Sequence, residues 1–130
     1  MKVLLVDDSK IILRVLTNVV KKYFDEVEVF TAEDGSIAMR VLEAEKVDGK
    51  SGIPIMFLDW NMPVMNGEEV VDAVRLDKEL NNLRIIMATT EGGKTSVVKM
   101  MKKGVAGYLV KPFQEASIHK TLDTITARMR

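Results

Sequence analysis

The sequence contains no cysteine among its 130 residues. This absence excludes disulfide bonds, thiolate metal sites and cysteine nucleophiles together. The chain also lacks any apolar stretch close to the roughly 20 residues that cross a bilayer, so we expect no membrane insertion. The apolar run Val3–Val6 is too short for a signal peptide, and two acids follow it at once. These absences predict a cytoplasmic protein.

An excess of charge of one sign is missing as well. The chain carries 19 basic and 19 acidic residues, so no overall field draws it to nucleic acid or to a membrane surface. Hydrophobic residues make up 47% of the sequence, which is typical of a folded globular protein. Because a chain of 130 residues suits one compact domain, we expect a single domain over residues 1–130.

Five short apolar runs bounded by turn residues predict β-strands. The first, third and fourth are apolar almost throughout, which is typical of strands that helices cover on both faces of a parallel sheet. The second and fifth are more mixed, as edge strands often are. In chain order the predicted strands are Lys2–Val6, Val27–Thr31, Ile53–Leu58, Arg84–Ala88 and Gly107–Val110.

Segments with helical periodicity separate these strands. The apolar face of the first helix is predicted at Ile12, Val15, Leu16, Val19, Val20 and Tyr23. Ser9 stands where it can cap that helix. The regular alternation predicts an α/β fold, a doubly wound five-stranded parallel sheet with helices on both faces. The flavodoxin-like strand order 2-1-3-4-5 is the best match.

Acidic residues follow two of the predicted strands. Asp7 and Asp8 come after the first strand, and Asp59 comes after the third. Ligands of open parallel sheets bind outside the carboxyl ends of the strands, where the strand order switches, so we expect these carboxylates to converge. Close carboxylates repel one another, and Mg²⁺, which prefers oxygen ligands, relieves the repulsion. Asp7 and Asp8 alone are equally consistent with capping the next helix, but Asp59 favours a metal and phosphate site.

Two further polar residues follow the later strands. Lys111 comes after the fifth strand, where its ammonium group can meet phosphoryl oxygens. Thr89 ends the fourth strand and offers a hydroxyl donor at the same edge. Either residue alone is more often a solvated strand end, but their joint placement favours a phosphate site.

Four motifs at these strand ends carry a family resemblance. They are Leu5-Val6-Asp7-Asp8-Ser9, Leu58-Asp59-Trp60-Asn61-Met62-Pro63-Val64-Met65-Asn66-Gly67, Ala88-Thr89-Thr90-Glu91 and Gly107-Tyr108-Leu109-Val110-Lys111-Pro112-Phe113. In this order they resemble the receiver domains of response regulators, over essentially the whole chain. Within that family they are most similar to the CheY-like single-domain chemotaxis regulators.

The resemblance implies the chemistry of the site. Asp59 would accept a phosphoryl group from the phosphohistidine of a CheA-like histidine kinase, and Lys111 would pair with that group. Mg²⁺ would be bound by Asp8, by Asp59 and by the backbone carbonyl of Asn61. Asp7 would act on the metal largely through a bound water. The protein would be a phosphoacceptor that promotes its own phosphorylation and dephosphorylation, not a turnover enzyme.

The resemblance also implies a switch and its partners. Asn61 and Glu91 would flank the path of the hydrolytic water and tune dephosphorylation. Thr89 would move to bind the phosphoryl group, and Tyr108 would turn from an outward to an inward rotamer. The fourth helix, fifth strand and fifth helix would form the output face. There Lys94 and Tyr108 would contact a flagellar motor switch protein. A phosphatase is a further expected partner, and the protein is expected to be a monomer.

Other functions compete with this interpretation. A receiver of this type can instead pass its phosphoryl group to a histidine phosphotransfer protein in a phosphorelay. Phosphohydrolases with an aspartyl nucleophile need an acid two residues after it, where this chain has Asn61. Nucleotide- or flavin-binding proteins of the same fold need a phosphate-binding turn after the first strand. Here that turn is Asp7-Asp8-Ser9-Lys10, whose acids would repel a phosphate.

Three residues depart from the family pattern. Thr90 stands where many receivers carry alanine, and Gly92-Gly93 precedes the fourth helix, predicted over residues 94–103. Glycine lowers helix stability by about 1 kcal/mol relative to alanine, so we expect this helix to be the most mobile. Trp60, the single tryptophan, is expected to be a partly exposed neighbour of the site.

Overall fold

A computed structural model describes residues 1–129, and over this range the chain forms a parallel sheet of five strands in the order β2-β1-β3-β4-β5. The strands are β1 (Lys2–Val6), β2 (Glu28–Ala32), β3 (Ile55–Leu58), β4 (Arg84–Thr89) and β5 (Gly107–Val110). The helices are α1 (Lys10–Tyr23), α2 (Gly35–Ala44), α3 (Gly67–Leu76), α4 (Lys94–Lys102) and α5 (Glu115–Arg128), with a short 3₁₀ turn at Lys78–Leu80. The predicted fold class and strand order are confirmed.

Helices cover both faces of the sheet. Alternate residues of β1 point to opposite layers, because successive side chains of a strand face opposite sides. Leu4 and Val6 pack in the layer formed with α2, α3 and α4. Val3 and Leu5 pack in the layer formed with α1 and α5. The central strands are therefore buried on both sides, which explains why their sequences are apolar almost throughout.

The starts of three helices are fixed by side chains that precede them. The Ser9 hydroxyl accepts a hydrogen bond from the Ile12 amide at 3.3 Å, as predicted. The Asp34 carboxylate accepts one from the Ile37 amide at 3.0 Å. Asn66 and Glu69 form a reciprocal capping box at the start of α3. By contrast, Gly93 gives α4 no side-chain cap among the described residues.

The structure differs from the sequence prediction in some details. β3 begins at Ile55 rather than Ile53, since Pro54 has no amide hydrogen to pair within the sheet. Val15, predicted on the buried face of α1, is 42% exposed, and Leu13 is buried in its place. Both residues are apolar, so the sequence alone does not show which of them is buried. The rotation of α1 about its own axis, which packing sets, turns Leu13 towards the core and Val15 towards solvent.

The segment between α2 and β3 forms a short hairpin that is attached to the rest of the chain by ion pairs. Val47 and Lys50 pair across a turn in which Asp48 and Gly49 have positive φ. Lys46 forms ion pairs with Asp77 at 2.8 Å and with Glu79 at 3.0 Å. These contacts attach the segment to the turn that precedes β4.

Within the described range, no helix is long and apolar enough to cross a membrane.

Gly67 is required by a close approach of backbone to backbone. A Cβ atom there would lie 2.2 Å from the Asp59 carbonyl oxygen and 2.8 Å from the Trp60 Cα. We predict that Gly67→Ala lowers the free energy of unfolding by about 1–3 kcal/mol, the usual cost of overpacking. Urea denaturation measures this change. The matched control is Gly93→Ala, because a Cβ at Gly93 meets no atom within 4 Å. Equal effects of the two substitutions would contradict the prediction.

Candidate functional site

The parallel pairing of β1 with β3 brings acidic residues together at one edge of the sheet. Val6 pairs with Leu58, so the residues that follow them, Asp7 and Asp59, emerge side by side. Asp7 is 1% exposed and Asp59 is 5% exposed, whereas Asp8 faces solvent. One carboxylate oxygen from each of the three acids lies within 4.8 Å of the others. The convergence predicted from the sequence is therefore present.

Lys111 partly neutralises the two buried acids. Its ammonium nitrogen lies 2.6 Å from Asp7 Oδ2 and 3.3 Å from Asp59 Oδ2. The backbone supports this position, since the Lys111 amide donates to the Thr89 carbonyl at 2.8 Å. Burial alone would lower the pKa of Lys111, but its bond to Asp7 and the charges of Asp59 and Asp7 raise that pKa overall. Lys111 thus stays positively charged inside the site.

The cluster carries more negative than positive charge, which favours the binding of a cation. Burial raises the pKa of Asp7, and the bond from Lys111 offsets this only in part. One ammonium group faces two buried carboxylates, and a third carboxylate, from Asp8, lies beside them. An all-oxygen set of this kind suits Mg²⁺, which binds through one or two carboxylates and keeps several waters. The residues present therefore fit the predicted metal.

The two oxygens of Asp59 have different surroundings. Oδ1 accepts a hydrogen bond from the Trp60 amide at 2.8 Å. Oδ2 faces the Lys111 ammonium group. The carboxylate is thereby held in one orientation by the residue that follows it and by the lysine after β5.

Thr89 and Tyr108 both contact the backbone of Glu91. Thr89 is fully buried at the end of β4, and its hydroxyl accepts a hydrogen bond from the Glu91 amide at 3.4 Å. Tyr108 is half-buried, and its hydroxyl donates to the Glu91 carbonyl. Burial, and the nearby charge of Glu91, raise the pKa of Tyr108. The two predicted switch residues are therefore linked through one loop residue.

Asn61 and Glu91 meet at the outer rim of the site. The Asn61 side-chain amide donates to Glu91 Oε1 at 3.1 Å, and both residues are exposed. This bond joins the loop after β3 to the loop after β4. Lys94 lies farther out, exposed at the start of α4, and forms no ion pair within residues 1–129. The structure thus forms two groups of the predicted site residues. One cluster contains Asp7, Asp8, Asp59 and Lys111. Hydrogen bonds to Glu91 join Asn61, Thr89 and Tyr108, whereas Lys94 stands on the neighbouring helix.

Sequence reasoning missed some contacts around the site. It assigned Lys111 to phosphoryl oxygens and did not foresee its pairing with Asp7. It also missed the ion pairs that Glu68 of α3 forms with Lys99 of α4 and with Lys103, the residue that follows α4. A usable signal was present, because these lysines stand four residues apart and so share one helix face.

Comparison with known proteins supports a common origin. Residues 3–123 match the family model described as the response regulator receiver domain. Chemotaxis protein CheY1 of Helicobacter pylori (strain J99) is 39% identical over 125 residues, which cover 96% of each chain. A CheY homologue of Campylobacter jejuni is 38% identical, over 96% of this chain and 92% of the relative. The crystal structure of Vibrio cholerae chemotaxis protein CheY4 superposes with a TM-score of 0.79 at 35% identity, covering 95% of this chain and 97% of the other.

The pair formed by Asp7 and Lys111 yields a prediction on stability. Lys111→Met leaves two buried carboxylates without their cation, so we expect the free energy of unfolding to fall by about 3 kcal/mol. Adding Asp7→Asn should restore part of this loss, because one of the two uncompensated charges is then removed. Urea denaturation of the two single variants and the double variant, in the presence of a chelator, measures the coupling. Strictly additive effects would show that the two groups do not interact.

Proposed function

Because the chain belongs to the response regulator receiver family and is a CheY-like chemotaxis receiver, we propose that it is a switch that Mg²⁺-dependent phosphorylation of Asp59 turns on. The observation that carries this proposal is the buried Asp59 carboxylate, held between the Trp60 amide and the Lys111 ammonium group. We propose that residues 1–130 act as one receiver domain, in the cytoplasm.

The proposed reaction is phosphoryl transfer from a phosphohistidine. A carboxylate oxygen of Asp59 attacks phosphorus, the bond between phosphorus and the imidazole nitrogen breaks, and that nitrogen keeps the electron pair. The product is an acyl phosphate. Such a transfer depends on alignment and charge neutralisation more than on covalent help. Lys111 supplies part of the neutralisation, since it already lies 3.3 Å from Asp59 Oδ2.

The acidic cluster would hold the metal ion. Asp8 and Asp59 would bind Mg²⁺ through their carboxylates, Asn61 through its backbone carbonyl, and Asp7 through a water. When bound, the ion neutralises charge on the carboxylates and on the incoming phosphoryl oxygens. The pairing of Asp7 with Lys111 would keep that lysine at the site before a phosphoryl group arrives.

Dephosphorylation would depend on the rim of the site. The acyl phosphate is a mixed anhydride, which water can hydrolyse. The bond from Asn61 to Glu91 lies at the rim of the site, and these side chains would set how easily water arrives. The protein would thus promote the loss of its own phosphoryl group, with these side chains setting the lifetime of the phosphorylated state, and would not be an enzyme that turns over a substrate. The absence of an acid at Asn61 argues against the phosphohydrolase alternative.

The output would be a population shift around Glu91. A phosphoryl group bonded by Thr89 changes the position of the Glu91 backbone, to which Tyr108 is also bonded. Ligands shift such an equilibrium when they contact its two states differently. The α4-β5-α5 face, with Lys94 and Tyr108, would then bind a flagellar motor switch protein. A CheA-like histidine kinase and a phosphatase complete the proposed partners.

The acceptor residue is tested by phosphorylation with a small-molecule donor. Incubation with phosphoramidate and Mg²⁺ should attach one phosphoryl group to the unsubstituted protein, whereas Asp59→Asn and chelator-treated protein should stay at background. The measurement is radioactive phosphoryl incorporation, with loss of the label in hydroxylamine as the sign of an acyl phosphate. The control is Asp48→Asn, an exposed acid in the hairpin before β3. Undiminished labelling of Asp59→Asn would refute the assignment.

The output is tested by affinity capture from lysate of the source organism. Immobilised protein is used with Mg²⁺ alone or with Mg²⁺ and beryllofluoride, a phosphoryl mimic, beside an Asp59→Asn control. We expect a flagellar switch protein to be retained only by the activated protein with Asp59 intact. Capture of a histidine phosphotransfer protein with no motor component would instead place the chain in a phosphorelay.

A further inference from the structure

Trp60 lies between the acceptor residue and α4. Its amide donates to Asp59 Oδ1 at 2.8 Å. Its half-buried ring packs against the core layer that contains α3 and α4. The Lys99 ammonium nitrogen, on α4, stands 6.0 Å from the centre of that ring, within reach of a cation–π interaction. One residue thus contacts both the reactive carboxylate and a charge on the helix of the output face.

Lys99 is held in this place by α3. Its ammonium nitrogen lies 2.8 Å from Glu68 Oε2, and Lys103 lies 3.4 Å from the same oxygen and 2.6 Å from Asp72 Oδ1. The bond from Lys99 is the main cause that lowers the pKa of Glu68, with the bond from Lys103 second. Glu68 therefore stays ionised, and Lys99 and Lys103 remain paired with it.

The start of α3 is itself attached to the acceptor segment. The Gly67 amide donates to the Trp60 carbonyl at 2.8 Å. A Cβ atom on Gly67 would overlap the Asp59 carbonyl, so the helix and the acceptor segment are in direct backbone contact. A displacement of Asp59–Trp60 would therefore reach α4 both through the tryptophan ring and through Glu68.

We propose that Lys99 is a positioning residue that couples the state of Asp59 to α4 through the ring of Trp60. The inference rests on the proposed phosphorylation of Asp59 and is distinct from the contacts of Thr89 and Tyr108 with Glu91. Occupation of Asp59 further restrains Trp60, whose amide already bonds the Asp59 carboxylate, and a restrained ring restrains Lys99 and the helix that carries it. Ordering of one site by a ligand at another is a sufficient means of coupling.

Lys103 provides the matched comparison. It is a lysine of the same face, it shares Glu68 with Lys99, and among the described residues it forms no cation–π contact with the tryptophan ring. Lys99→Met and Lys103→Met each remove one positive charge and one ion pair with Glu68, and Lys103→Met removes the ion pair with Asp72 as well, so it is the more severe loss of ion pairing. Only Lys99→Met removes the cation from the ring of Trp60.

The test is amide hydrogen exchange of α4 in Mg²⁺, with and without beryllofluoride. Bound beryllofluoride is detected separately by fluorine NMR. In the unsubstituted protein we expect the protection of α4 amides to rise when beryllofluoride binds. In Lys99→Met this rise should be about two- to fivefold smaller, the range expected for a solvent-exposed cation–π contact. In Lys103→Met the rise should be unchanged.

Three results would overturn the inference. One is a rise in α4 protection in Lys99→Met as large as in the unsubstituted protein. Another is an equally reduced rise in both variants, which would assign the effect to the ion pairs alone. The third is a bound fluorine signal in the unsubstituted protein without any rise in the protection of its α4 amides. A complete lack of bound fluorine signal would instead overturn the proposed function, and the inference would fall with it.

Discussion

The structure depends on the placement of two buried carboxylates side by side at the carboxyl ends of neighbouring strands. Asp7 and Asp59 are both buried because they follow adjacent strands of a sheet that is covered on both faces. Their repulsion has to be balanced, and Lys111 does so from the end of β5. The parallel direction of the strands, which brings the carboxyl ends of β1, β3 and β5 to the same end of the sheet, is therefore inseparable from the charge balance of the site.

The parts around this site differ in how firmly they are held. Strand pairing fixes Asp7, Asp59 and Thr89 at the ends of buried strands. The loop that leads to α4 begins with exposed residues and ends at Gly93, which provides no side-chain cap among residues 1–129. Local stability is lowest where few buried contacts restrain the chain. A change of charge at Asp59 would therefore displace this loop and α4 more easily than it would displace the strands of the sheet.

The sequence was sufficient for the fold and for the membership of the acidic cluster, because both follow from strand ends. Apolar runs identify the strands, and residues that follow parallel strands meet at one edge. The sequence could not show that Leu13 rather than Val15 is buried, because the rotation of α1 about its axis is set by packing with α5 and the sheet. Nor could it assign Lys111 to Asp7 or Lys99 to Trp60, since both contacts depend on the reach of long side chains between separate elements.

The weakness of the contacts between α3 and α4 suits a reversible switch. Solvent-exposed ion pairs contribute about 0.2–1 kcal/mol each, and the lysines that contact Glu68 and Asp72 are partly exposed. Allosteric coupling free energies are about 1–3 kcal/mol, so a few such contacts are enough to bias α4. Breaking a buried ion pair costs about 3–5 kcal/mol. Buried pairs between α3 and α4 would therefore hold α4 in one position whatever the state of Asp59. In the proposed switch, weak contacts near the surface, attached to the Asp59–Trp60 segment, would allow the helix to respond and to return.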